Sequence, residues 1–133
     1  MSEISPDIGG KRVVIYGCSG CSDAGELADR TARVLSQKGL GEMSFLADIG
    51  GRVKPLISKA QKAEHIVAID GCPLNCARHT LALAGFGTVH HLELNTLGFR
   101  KGSCPPTEER IAIAVEAGME LLKTLDVKDD VQT

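Results

Sequence analysis

Five cysteines are the residues of this chain whose type and spacing are best suited to chemistry. They form two close pairs and one separate residue, namely Cys18 with Cys21, Cys72 with Cys76, and Cys104. A cysteine thiolate can ligate a metal ion, attack an electrophile or exchange with a disulfide. Which of these reactions applies depends on where the fold places the two pairs.

The amino terminus has neither a positive flank nor an apolar run of the kind found in export signals, so we expect a cytoplasmic protein. Thiols stay reduced in that compartment. Cysteines there are more often metal ligands or redox catalysts than structural disulfides.

The composition excludes several classes of function. With 133 residues and 43% hydrophobic residues, the chain can form one domain (1–133) with its own apolar core. The 15 Lys+Arg and 17 Asp+Glu give a net charge of -2, so we expect no nucleic-acid partner. We also expect no membrane partner, because no apolar run approaches about 18 residues.

Strand and helix patterns alternate along the chain. The expected strands are 11–17, 42–47, 65–70 and 88–95, and the expected helices are 23–38, 53–63, 73–84 and about 107–125. Residues 1–10 are expected to be a loose lead-in, and 126–133 a charged tail that frays. This order predicts an α/β fold: a small, doubly wound, Rossmann-like or flavodoxin-like sheet. We expect about four mostly parallel strands in the order 2-1-3-4, with helices on both faces.

The two cysteine pairs follow equivalent strands. Cys18 comes directly after strand one, and a single glycine separates Cys72 from strand three. In a 2-1-3-4 sheet these strands are neighbours, and their outgoing connections diverge where such sheets bind ligands. The sequence therefore predicts that Cys18, Cys21, Cys72 and Cys76 meet at one edge. Four thiolates suit Zn²⁺, and an iron–sulfur cluster takes the same ligands.

The second pair is also expected to lie at a helix start. With Cys72 as the N-cap and Pro73 in the first helical position, Cys76 would share the face of Cys72. The dipole of that helix would favour the thiolate form of Cys72.

Three further residues are candidates for this edge. Cys104 precedes the last helix, as either a fifth thiol near the site or an exposed loop cysteine. Asp70 could support a ligand, although a helix-cap or loop contact is the simpler interpretation. His79 could replace a cysteine as a ligand, although an exposed helical histidine is more common. His90 and His91 should point to opposite faces of their strand, and we interpret both as structural.

Two anion-binding hypotheses also arise. The loop residues Ser19, Gly20 and Ser22 precede a helix and could bind an anion there. Cys72 and Arg78 have the C-x₅-R spacing of a phosphatase-type loop. The residues between them lack the glycines that let backbone amides surround an oxyanion, and a second cysteine there fits a ligand pair better.

Several segments resemble the DGC-domain family, whose members are described as zinc-binding. The resemblance covers about residues 13–101, and its segments are 70–77 (DGCPLNCA), 18–22 (CSGCS), 25–28 (GELA) and 46–51 (LADIGG, where the family usually has LAGIGG). It implies that Cys18, Cys72 and Cys76 are zinc ligands. Some relatives carry a further cysteine where this chain has Phe45, and Cys21 would take its place as the fourth thiolate donor.

The leading hypothesis is therefore a zinc-binding protein whose reaction, if any, the sequence does not name. A thiol-redox or thiol-transfer enzyme using Cys18, Cys21 and Cys72 is the first alternative. An iron–sulfur electron carrier is the second. The expected partners are a metal ion and an unidentified small molecule or protein, and the sequence leaves the oligomeric state open.

Overall fold

The computed structural model describes residues 7–8 and 11–132. The strands are β1 (Asp7–Ile8), β2 (Lys11–Gly17), β3 (Glu42–Met43), β4 (His65–Asp70) and β5 (His90–Glu93). The helices are α1 (Asp23–Gln37), α2 (Leu46–Gly50), α3 (Lys54–Gln61), α4 (Cys76–Leu83) and α5 (Glu108–Gln132), and a 3₁₀ turn spans Leu94–Leu97.

The sheet has the predicted order. Strands β3, β2, β4 and β5 lie side by side and all run parallel, which is the 2-1-3-4 arrangement once the short β1 is set aside. Strand β1 pairs antiparallel with the start of β2. Because β2 and β4 are neighbours, their carboxyl ends open onto the same edge of the sheet.

Helices cover both faces, as the alternation of elements predicts. Helices α1 and α5 pack against each other, and α2 packs against α4. The β-branched runs of β2 and β4 are buried between these layers, with Val13, Val14, Ile15, Val67 and Ile69 almost inaccessible to solvent. Ser22 is the N-cap of helix α1, and the chain turns after the helix at Gly39, whose φ is +78°.

Three expected elements have different bounds. The strand expected over 42–47 pairs only through Glu42–Met43, because the chain turns into α2 at Leu46. There Ile49 N–H donates to the Phe45 carbonyl, and Ile49 is the residue that the turn buries. The helix expected over 73–84 starts at Cys76, and the strand expected over 88–95 is confined to His90–Glu93.

The two ends of the chain also differ in detail from the sequence interpretation. Within the expected lead-in, Asp7–Ile8 form β1, and residues 1–6 and 9–10 lie outside the described residues. Helix α5 continues to Gln132, past residue 125 where the sequence placed its end, and Thr133 lies outside the described residues. In the part of the chain that the structure describes, no helix combines the length and apolar character needed to cross a membrane.

Candidate functional site

The two cysteine-bearing loops meet at the carboxyl edge of β2 and β4. Cys18 N–H donates to the Ile69 carbonyl at 2.9 Å, which extends the pairing of the two strands by one residue. In return, Gly71 N–H donates to Cys18 Sγ at 3.3 Å. The loop after β4 therefore binds the Cys18 thiol, which lies on the loop after β2.

Glycines allow this close approach. A Cβ atom on Gly71 would lie 2.2 Å from the Ala24 carbonyl oxygen at the start of α1, a distance that no side chain can tolerate. A Cβ on Gly25 would lie 3.0 Å from the backbone of Gly20, so the first cysteine loop also rests directly on α1. The glycine of the DGC segment is thus required by backbone contact between the second loop and the first helix.

Among the four cysteines of the two pairs, Cys18 is the least exposed to solvent. Its residue is 9% exposed, and burial raises the pKa of the Cys18 thiol from 9.0 to about 11. The Gly71 N–H opposes this pKa shift, whereas the negative charges of Asp70, Cys72 and Cys76 add to it. The loop that carries Cys72 thus acts on Cys18 both through these charges and through the Gly71 N–H.

The other three thiols of the two pairs are more accessible. Cys72 is half-buried, and Cys76 and Cys21 are exposed. Cys21 lies on the loop before α1 and is not among the groups that shift the pKa of Cys18. Within the described ranges, no group of three or more His, Cys, Asp or Glu side chains is already arranged to hold a metal ion.

The turn that carries Cys72 differs from the expected helix start. Asn75, with a left-handed φ of +54°, is the N-cap of α4, and Cys76 is the first helical residue. Asn75 N–H donates to the Cys72 carbonyl at 3.2 Å and closes a turn over Cys72 and Pro73. The predictions of Cys72 as N-cap and Pro73 as first helical residue are therefore wrong, and the pair does not share a helical face.

A buried carboxylate explains why α4 starts late. Asp70, the last residue of β4, is 0% exposed, and its two oxygens accept Ala77 N–H at 2.7 Å and Arg78 N–H at 3.1 Å. It also lies 2.8 Å from His91 Nε2 on β5. Asp70 thus performs the capping function that the Asn75 side chain does not. The cap contact was the simpler of the two interpretations of Asp70.

The sequence interpretation did not predict that His91 contacts Asp70 at this edge. Residues 91 and 93 share one face of β5, and Glu93 pairs with Asp70 in the sheet register. The contact between His91 and Asp70 follows from the register of β4 and β5, which the sequence alone does not supply. His90 lies on the opposite face, as predicted, with its Nε2 3.2 Å from His65 Nδ1.

Several backbone amides at the two expected anion sites are already hydrogen-bonded within the protein. The amides of Ala77 and Arg78, which a phosphatase-type loop from Cys72 to Arg78 would offer to phosphate, are bound to Asp70. At α1, Ser22 Oγ accepts Gly25 N–H at 3.0 Å, and Asp23 Oδ1 accepts Ala24 N–H at 2.7 Å. Ser19 and Gly20 are exposed in the preceding loop. These capping contacts argue against phosphate chemistry at either helix.

Cys104 is a buried thiol that belongs to a separate contact. It is 1% exposed, which excludes an exposed loop cysteine. Its N–H donates to Asp23 Oδ2 at 3.0 Å, and Gly102 N–H donates to Asp23 Oδ1 at 2.9 Å. These donors, Gly102 first, lower the pKa of Asp23, and burial followed by the Asp23 charge raises the pKa of Cys104. Asp23 therefore ties the first cysteine loop to the loop before α5.

The remaining candidate, His79, is exposed on α4. Its backbone N–H donates to the Asn75 carbonyl at 2.9 Å, as expected for the first turn of the helix. This placement matches the interpretation of an ordinary helical histidine.

The fold and this edge define a small doubly wound α/β protein with accessible thiols at its switch point. The DGC domain model matches residues 14–118, a range that includes all five cysteines. The anaerobic and virulence modulator AnvM of Pseudomonas aeruginosa is 40% identical over 101 residues, which cover 76% of this chain and 76% of AnvM. No solved structure matches the chain. The chain belongs to the DGC-domain family, as its motifs predict.

Replacing Asp70 by Asn should destabilise the protein by about 1–3 kcal/mol, because an amide has one acceptor oxygen where the carboxylate uses one oxygen for Ala77 N–H and the other for Arg78 N–H. Asp48→Asn is the matched control, since Asp48 is only half-buried in the first turn of α2. Urea denaturation of both variants measures the difference. Equal loss in the two variants would contradict the capping role of Asp70.

Replacing Gly71 by Ala should cost about 1–3 kcal/mol or more, because the new methyl group must displace the Ala24 carbonyl. Gly87→Ala is the matched control, since a Cβ there meets no atom within 4 Å. Denaturation midpoints, with the accessibility of Cys18 to a thiol reagent, test the prediction. A Gly71→Ala variant as stable as Gly87→Ala would show that the second cysteine loop does not lie directly on α1.

In reduced, metal-free protein, Cys18 should be alkylated far more slowly than Cys76. The rise of the Cys18 pKa from 9.0 to about 11 reduces its own thiolate fraction on the order of a hundredfold near pH 8. The rate at Cys18 should keep rising with pH up to about pH 11. Peptide mass spectrometry after timed iodoacetamide treatment gives both rates, and equal rates at pH 8 would contradict the burial of Cys18.

Proposed function

We propose that this DGC-domain protein binds zinc through cysteine thiolates at the carboxyl edge of its sheet. The observation that carries the proposal is the environment of Cys18: an enclosed thiol that accepts a backbone N–H from Gly71 and lies near Cys72 and Cys76. Backbone donors to sulfur are a common outer-shell feature of thiolate metal sites.

The donor chemistry fits a soft or borderline cation. Burial, followed by the nearby negative charges of Asp70, Cys72 and Cys76, raises the pKa of Cys18 and opposes its ionisation. A divalent ion removes that penalty by replacing the protons. Zn²⁺ takes tetrahedral thiolate ligands at about 2.3 Å, and when bound it supplies a structural clamp or, with an open position, a Lewis acid.

Cys21 is the fourth thiolate donor in this proposal. It is exposed on the loop between Cys18 and the Ser22 cap, and a short movement of that loop would bring it toward the other three. Because the described thiols are not yet arranged as a closed ligand set, zinc would order the two loops as it binds. Part of the binding free energy would therefore appear as added stability.

A binding module is the role that best fits these features. The relative AnvM is named an anaerobic and virulence modulator, and this supports a regulatory role. All five cysteines are free thiols, which suits the reducing conditions of the cytoplasm.

The thiol-redox alternative is weaker for the pair Cys18 and Cys21. An attacking thiol works best with a pKa near ambient pH, whereas the pKa of Cys18 is raised to about 11. An iron–sulfur cluster remains compatible with the same ligands, and visible absorption separates it from colourless zinc.

Zinc analysis of anaerobically purified protein should give about one zinc per chain, lost in Cys18→Ser, Cys72→Ser and Cys76→Ser. Cys104→Ser should keep its zinc, because Cys104 is bound to Asp23 and the hydroxyl can replace its thiol there. Chelation of the wild type should expose thiols that were unreactive before. The Cys21→Ser variant identifies the fourth ligand.

Metal-free wild-type protein with all accessible thiols reactive from the start would refute zinc binding. A brown protein containing iron and inorganic sulfide would show that the cysteines bind an iron–sulfur cluster and not zinc. Full zinc retention in Cys72→Ser would show that the metal lies elsewhere.

A further inference from the structure

We propose that a groove between α1 and the segment 43–48 binds a small aromatic monocarboxylate. The groove, called the Arg33 groove below, has two adjoining hollows of about 370 Å³ and about 200 Å³. Four residues line both hollows, namely Arg33, Met43, Ser44 and Phe45. The larger hollow alone is within the size range of small-molecule sites.

The Arg33 groove lies beside the cysteine edge. Its smaller hollow reaches Gly17 and Ser19, which flank Cys18 in the chain. None of the described residues that line the two hollows is a cysteine. The proposal therefore does not rest on zinc binding by the cysteines, and the two proposals can fail separately.

Hydrogen bonds hold the walls of the Arg33 groove in place. Ser36 Oγ on α1 accepts Met43 N–H at 3.1 Å. The next residue, Ser44, donates its N–H to the Ile15 carbonyl on β2 at 3.0 Å. Because the wall after β3 is tied to both α1 and β2, a ligand has little ordering to impose when it binds.

Phe45 gives the Arg33 groove an aromatic surface. It is 63% exposed, although its backbone is fixed as the N-cap of α2. Met43 lies beside it in both hollows, and Leu46 and Ala47 continue the wall of the smaller one. Aromatic faces and thioethers both favour contact with a further aromatic ring. A flat ring bound against Phe45 would remove apolar surface from water, which favours binding.

Arg33 supplies the positive charge. Asp29, Arg33 and Ser36 are four and three residues apart, so they share one face of α1. Arg33 Nε donates to Asp29 Oδ2 at 2.7 Å, which uses one of the five N–H donors of the guanidinium. Among the six described residues that line the larger hollow, Arg33 is the only charged one. A carboxylate there can accept from the terminal guanidinium nitrogens.

The smaller hollow limits the charge of the ligand. Asp29 and Asp48 line it together with Arg33. A second carboxylate on the ligand would meet two like charges there, which opposes its binding. The Arg33 groove therefore suits a ligand whose single carboxylate lies in the larger hollow and whose uncharged ring extends over Phe45.

A naphthoate is a suitable probe, because it combines one carboxylate with a flat ring system and is fluorescent. The protein has no Trp whose emission would interfere. Titration of the full chain, as purified, should give saturable binding of one naphthoate per chain by fluorescence polarisation. Naphthalenemethanol lacks the charge and a naphthalenedicarboxylate carries a second one, so each should bind about tenfold more weakly.

Two pairs of variants test the two parts of the Arg33 groove. Phe45→Ala should weaken naphthoate binding about tenfold, because the aromatic contact is lost. Leu83→Ala is its control, since Leu83 is also exposed but lies on α4, outside the groove. None of the substituted side chains is buried, and circular dichroism confirms that each variant is folded.

The second pair tests the charge. Arg33→Gln should weaken naphthoate binding about tenfold and leave the binding of uncharged naphthalenemethanol unchanged. Arg30→Gln is the matched control and should bind naphthoate as the wild type does. Arg30 also lies on α1 and pairs with an acid four residues earlier, Glu26, but it does not line the groove.

Amide NMR shifts locate the bound probe. Shifts confined to residues 33–37 and 43–48, with weaker binding in Phe45→Ala and Arg33→Gln but not in their controls, would support the proposal whether or not the cysteines bind zinc. Shifts centred on Cys72 and Cys76 would place the carboxylate at the cysteine edge and overturn it. Equal losses in Arg30→Gln and Arg33→Gln, or no saturable binding up to about 1 mM naphthoate, would also overturn it.

Discussion

A single buried carboxylate organises the functional edge of this protein. Asp70 ends the central strand β4, accepts the first free amides of α4 from Ala77 and Arg78, and is in contact with His91 on β5. Strand, helix and neighbouring strand are therefore joined at one side chain that water does not reach. Because α4 is fixed in this way, the turn from Cys72 to Cys76 has a defined place beside the Cys18 thiol.

The same contacts decide which chemistry the edge can offer. Helix amino termini normally attract anions, but here α4 is capped by Asp70, and α1 is capped by Ser22 and Asp23. Phosphate would have to displace these side chains from the amides that they cap. What remains accessible at this edge is sulfur, with Cys21 and Cys76 exposed and Cys72 half-buried. The glycine before Cys72 allows the second loop to lie directly on α1.

Much of this arrangement could be predicted from the sequence, because hydrophobic runs and turn residues are local signals. The strand order and the convergence of the two cysteine loops both follow from such signals. The start of α4 could not be predicted in this way. Pro73 has the local appearance of a first helical residue, whereas the actual start is set by Asp70 and by the left-handed Asn75. Likewise, Leu46 appeared to continue a strand, but the burial of Ile49 favours a helical turn.

X-ray absorption at the zinc edge of the anaerobically purified protein is the most direct test of zinc binding by the cysteines. If the cysteines bind the zinc, its first coordination shell should be dominated by sulfur at about 2.3 Å, because the accessible donors at this edge are thiols. A shell of only nitrogen and oxygen atoms near 2.0 Å would place the zinc away from the cysteines and contradict the proposed zinc site.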